Sequence, residues 1–250
     1  SRLGDARCGT AVVEISVAVS DVLLRLGDCL RCCCLIEIFG AFGSVCQERC
    51  RTGLYFEEAT IGDSANTWIL KTYKEFLKGK QNKRWRIEHA QIIAPEDFTL
   101  FENVIPSIQP THATSDMYWA EDRIGKERMK GAYAYKDLLN IYGKVALGTD
   151  FPVEQVNPFL TFYASAIRKD TDGYPEGGFQ IENVLTREET LKGMTIWAAY
   201  SNFEENEKGS IEVGKLADFT MLNQDIMTID GAKIPTTKAT ATYINGDKVY

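Results

Sequence analysis

The sequence predicts an α/β fold built on a parallel sheet, with a small β part appended at the C-terminal end. Three observations carry this. From about residue 52 short apolar runs alternate with amphipathic stretches, the pattern of repeated strand and helix units. Four such units follow in a row, which implies parallel strands joined by crossover helices. The tail then changes to short strands around Asn245 and Gly246, a strong hairpin signal.

Residues 54–60 read as the first strand. Gly62 and Asp63 turn the chain into a helix capped by Asp63, with Ala65, Trp68, Ile69, Tyr73, Phe76 and Leu77 on its core face. Residues 84–90 form the second strand, where the period of two puts Trp85, Ile87 and His89 on one face. Pro95, with Glu96 and Asp97 behind it, opens the next helix. Residues 104–109 are the third strand, ended by Pro110. A charged helical excursion over 116–130 leads to a helix over 131–141.

Residues 144–150 read as a buried fourth strand ending in a turn. Asn157 caps the following helix and Pro158 takes its first position. The glycine-rich stretch 172–178 is a loop, and Thr186 with Glu189 forms a capping box for a helix running to about Tyr200. Residues 209–222 and 239–250 are the strands of the C-terminal part, where Lys215 and Asp218 shape a turn. The chain thus divides into 1–50, 51–205 and 206–250.

The chain of 250 residues, 44% hydrophobic, is long enough to bury a sizeable core. Its net charge of -7, spread along the chain, argues against nucleic acid or an anionic membrane surface as partner. The apolar stretch 11–26 is broken by Glu14, Asp21 and Arg25, so no membrane span or secretory signal is expected. A chain that begins at Ser1 fits a fragment or a processed product.

All seven cysteines lie within the first 50 residues. Cys29 with Cys32, and Cys46 with Cys50, have the spacing of a thiolate zinc site. The run Cys32, Cys33, Cys34 lacks a flanking glycine turn or histidine and argues against one, and the odd count would leave one thiol unpaired among disulfides. The preferred reading of 1–50 is a segment foreign to the rest. The cysteine-free remainder fits a cytoplasmic protein.

Candidate chemistry rests on few residues. The two histidines, His89 and His112, follow apolar strand residues, and Asp150 ends the fourth strand. In a parallel α/β barrel the C-terminal strand ends form the active-site face, so the three could converge there. Taken alone, each histidine reads as hydrogen-bonded packing and Asp150 as a turn or helix cap.

Four motifs in order, RIEHAQ at 86–91, QPTHATSD at 109–116, GTDFPVE at 148–154 and GSIEVGKLADF at 209–219, resemble amidohydrolase family 3 over residues 53–250. The resemblance implies the C-terminal half of a TIM-type (β/α)8 barrel, strands five to eight, followed by a small β-sandwich part. It implies hydrolysis of amide or related non-peptide C–N bonds in small molecules at one or two divalent metals, zinc by default, with iron or manganese also suited. By position His89 matches a metal ligand. Asp150 matches the aspartate that binds metal and, as catalytic base, takes the proton from the attacking water. His112 is expected to face the substrate.

The departures are equally definite. A His-x-His pair is absent, because only His89 and His112 exist. Ala59 stands where the family places a fifth-strand histidine before the turn at Ile61, Gly62 and Asp63, and Glu58 beside it would point to the other face. With two ligands left of the three that a catalytic zinc normally has, a tight site is not expected. Four strands without their barrel partners leave open edges, so association between copies is expected. The competing readings are a non-catalytic barrel remnant or interaction module, and a cysteine-based zinc module.

Overall fold

The computed structural model describes residues 57–78 and 83–250; the cysteine segment, its candidate zinc site and the start of the first predicted strand lie outside them. The strands are β1 (Glu57–Thr60), β2 (Arg86–His89), β3 (Ile105–Ile108) and β4 (Ala146–Leu147). They form one sheet in the order β1-β2-β3-β4, and all three pairings are parallel. This is the α/β arrangement that the alternating pattern predicts. β4 is two residues long where the sequence suggested seven, because only Ser107 and Ile108 of β3 offer it partners.

Helix α1 (Asp63–Leu77) crosses from β1 to β2. Gly62, not Asp63, is its N-cap; Asp63 lies in the first turn and pairs with Arg128 at 2.7 Å. The buried face is Asn66, Ile69, Leu70, Tyr73 and Leu77. Trp68, expected on that face, is 50% exposed. Asn66 is the unexpected core member. Its side-chain amide donates to the carbonyls of Gly62 and Ile92 at 3.0 and 3.1 Å, tying the helix start to the segment after β2.

A 3₁₀ helix at Pro95–Asn103 leads into β3, after which come α2 (Thr111–Asp116), α3 (Ala120–Met129), kinked at Gly125, and α4 (Tyr135–Tyr142). Gly131, before α4, admits no side chain: a Cβ there would meet the carbonyl oxygen of Ile93 at 1.8 Å. Helix α5 (Pro158–Ile167) starts as predicted, with the Asn157 side chain accepting from the backbone N–H of Phe159. Helix α6 (Arg187–Met194) carries the capping box, and the run breaks at Thr195 before α7 (Ile196–Ser201). The sequence showed no break there.

The main core, including Leu70, Tyr73, Trp85, Ile87, Phe101, Leu138 and Val145, fills the space between the sheet and its helices. Arg168, just after α5, is fully buried and forms no salt bridge among the described residues. Its Nε donates to the Phe179 carbonyl at 2.8 Å and its Nη2 to Gln180 Oε1 at 2.9 Å, with the Tyr135 and Phe179 rings beside the guanidinium.

The C-terminal part is a three-stranded antiparallel sheet of β5 (Phe219–Leu222), β6 (Ala239–Ile244) and β7 (Asp247–Lys248). Asn245 and Gly246 join β6 to β7 with positive φ at both, as a two-residue hairpin turn requires. Phe162 and Tyr163 of α5 pack with Ile226 and Ile234, fastening this part to the α/β part. Among the described residues it is a single sheet, not a sandwich. No described helix is long and apolar enough to cross a membrane.

Candidate metal centre

Because the four strands run parallel, their C-terminal ends lie along one edge of the sheet. His89 ends β2, His112 sits in the first turn of α2 just beyond β3, and Asp150 follows β4 by three residues. The structure brings all three together. One ligand atom from each lies within 4.8 Å of the others, and the two imidazole centroids are 5.8 Å apart.

The backbone holds two of them in unusual conformations. His89 has φ +69° and Asp150 has φ +60°, in the left-handed region where a Cβ crowds the following carbonyl. Such strain persists only where the surroundings enforce it, and it gathers at functional sites.

His112 is 8% exposed, and both of its ring nitrogens face carboxylates. Nε2 lies 3.0 Å from Asp150 Oδ2, and Nδ1 lies 3.1 Å from Glu154 Oε1. Burial opposes a charge on this ring, but the hydrogen bonds to Asp150 and Glu154 and their negative charges outweigh it and raise its pKa to about 9. Burial also works against the Glu154 carboxylate; His112, with the Ser115 hydroxyl donating at 2.6 Å, nevertheless keeps its pKa below the ordinary value. His89 goes the other way, because burial dominates and lowers its pKa. Its Nδ1 is buried and makes no hydrogen bond of good geometry.

Around this cluster lies a polar wall. Gln91 and Tyr133 both donate to Asp116 Oδ2, at 3.0 and 2.9 Å. Burial raises the Asp116 pKa against these hydrogen bonds. Sequence reasoning gave no role to Glu154, Asp116 or Gln91, although all three sit inside quoted motifs. Glu154 lies four residues after Asp150, and its N–H closes a turn onto the Asp150 carbonyl at 3.1 Å, a turn that the spacing alone does not reveal.

The donor set suits a borderline divalent cation, since two imidazoles and a carboxylate are ligands of zinc, iron and manganese alike. His89 Nδ1 is buried and makes no hydrogen bond of good geometry, and an ion is one group that would satisfy it, since a buried polar atom left unpaired is costly.

Parallel strands that present imidazole and carboxylate groups at their C-terminal ends define an α/β protein with a candidate metal-binding edge. The sequence profile of the amidohydrolase family matches residues 54–250, and the chain belongs to that family. It is 32% identical over 205 residues to Protein LONG AFTER FAR-RED 3 of Arabidopsis thaliana, covering 80% of this chain and 35% of that protein. It is 30% identical over 213 residues to YtcJ of Bacillus subtilis, covering 83% of this chain and 40% of that one. The chain therefore spans well under half the length of these relatives. A solved metal-dependent hydrolase from Pyrococcus horikoshii superposes with a TM-score of 0.64 at 26% identity, over 76% of this chain and 38% of the other.

Proposed function

We propose that this chain is the C-terminal portion of a metal-dependent amidohydrolase, strands five to eight of a (β/α)8 barrel with its terminal β part, that hydrolyses non-peptide C–N bonds of small amides. The observation that carries the reading is the convergence of His89, His112 and Asp150 on the C-terminal edge of a parallel sheet, in a chain of this family. In this reading residues 51–205 are the barrel portion and 206–250 the β part.

His89 and Asp150 would hold the ion, which when bound would polarise the amide carbonyl and make water more acidic. Asp150 takes a proton from the attacking water as the new C–O bond forms, and the proton goes to the amine nitrogen as the C–N bond breaks. His112 lies beside the Asp150 carboxylate, with Nε2 3.0 Å from Oδ2. Gln91 and Tyr133, both buried, hold the half-buried Asp116 carboxylate near His112 and Glu154.

The test is hydrolysis of N-formyl and N-acyl amines by the full chain supplied with zinc, before and after a chelator. Asp150→Asn is expected to lower the rate by about 100-fold or more, the usual contribution of a positioned base. A metal-loaded chain that turns over none of these compounds would instead favour a non-catalytic barrel remnant, the reading that the lack of a His-x-His pair supports.

A further inference from the structure

We infer that His112 is itself a ligand of the divalent cation, with Glu154 as the carboxylate that orients its ring, so that the described residues alone supply three protein ligands. The inference rests on reading this edge as a metal centre and goes further, since the sequence left only His89 and Asp150 for the ion.

The spacing is the first support. Zinc bonds of about 2.1 Å in tetrahedral geometry place neighbouring ligand atoms about 3.4 Å apart. His112 Nε2 and Asp150 Oδ2 are 3.0 Å apart, and the ligand atoms of all three residues lie within 4.8 Å of one another. Movements of about an ångström or less in side chains would put all three around one ion.

The far side of the ring is the second. A metal-bound histidine almost always donates its other N–H to a carboxylate, a carbonyl or water, which fixes the tautomer and the ring plane. His112 has that arrangement: Nδ1 is 3.1 Å from Glu154 Oε1, and the same oxygen accepts from Ser115 Oγ at 2.6 Å. A histidine that faced the substrate would keep one nitrogen toward open space. The His112 side chain is only 10% exposed, and both nitrogens are engaged within the cluster.

The third support comes from His89, whose buried Nδ1 makes no hydrogen bond of good geometry and whose backbone is held in the left-handed region beside the other two donors. Two imidazoles and one carboxylate leave one position of a tetrahedral ion open for water or substrate, as a catalytic rather than a structural site requires.

The experiment is titration of the full chain, stripped with a chelator, with zinc and separately with cobalt, reading stoichiometry, affinity and the cobalt visible spectrum. One ion per chain is expected. His112→Asn, which keeps a hydrogen-bonding amide but no imidazole, is expected to weaken zinc at least about 100-fold and to change the cobalt spectrum. Glu154→Gln is expected to weaken it 10- to 100-fold, the usual range for an outer-shell partner. Circular dichroism of the metal-free variants checks that each is folded, and Glu154→Gln carries the test if His112→Asn is not.

Wild-type affinity and an unchanged spectrum in His112→Asn would overturn the inference, as would a wild-type chain that takes up no ion. An ion retained by a His89→Ala, Asp150→Ala double variant would place binding elsewhere in the chain and overturn it too. Zinc lost in His112→Asn from a wild type that hydrolyses no amide would refute the enzymatic reading alone. Hydrolysis by a His112→Asn chain with zinc still bound would refute the ligand role alone.

Discussion

At His89 the backbone and the side chain pull in different directions. Its φ of +69° costs an ordinary residue about 1 kcal/mol, because the Cβ is forced toward a carbonyl oxygen. At most sites glycine is less stable than alanine by about 0.5–1 kcal/mol. Here the order should invert. His89→Gly and His89→Ala both delete the imidazole, so their difference isolates the Cβ; His89→Gly is expected to be the more stable by about 1 kcal/mol in urea unfolding. Equal stabilities, or the usual order, would mean that the left-handed backbone is not enforced. That conformation was not legible in the sequence, since nothing in RIEHAQ marks a positive φ. The candidacy of His89 and Asp150 was legible, because both end apolar strand runs. Glu154 was not, because its role depends on the turn that follows Asp150 and on where α2 places the His112 ring.

Among the elements, the Asn157 cap and the Thr186 capping box were read correctly from local chemistry, whereas the Asp63 cap was not, since Gly62 holds that position. The Asn157 cap and the Thr186 capping box are decided by residues two and three positions away, and both are present. The shortness of β4, the burial of Asn66 and the exposure of Trp68 are decided by what lies across the sheet, which periodicity cannot see. The capping box also carries a pH dependence. Burial acts to raise the Glu189 pKa, but Lys136 at 2.5 Å and the Thr186 backbone N–H outweigh it and lower it from 4.5. A lowered folded-state pKa means that the native chain binds fewer protons than the unfolded one. The stabilisation is therefore complete above about 4.5 and fades as pH falls through the folded value. Glu189→Gln should lower the thermal midpoint at pH 7 and narrow the gap to wild type at pH 3. A gap that stayed constant between the two would show that the carboxylate charge contributes nothing to α6.

For the molecule as a whole, the governing feature is that the sheet of four parallel strands does not close among the described residues. Among the described residues β1 and β4 each pair on one side only, and a strand with unpaired N–H and C=O groups is a template for another chain. That the four strands run parallel was legible because each crossover carries its own helix pattern. What lies beyond β1 and β4 was not, because edge partners leave no mark on the strands they would join. A second surface competes for association: on the C-terminal sheet Phe219 and Met221 of β5 are exposed, and Ile211 and Val213 stand out before it. The two can be separated. Light scattering across rising concentration should show a mass climbing from 28.0 kDa toward twice that value. If the sheet edges drive this, Met221→Lys, which puts a charge on the β5 surface, should leave the dimer intact. If Met221→Lys abolishes it, the apolar face is the interface, and if 28.0 kDa holds at every concentration, copies of this chain do not complete each other's sheets.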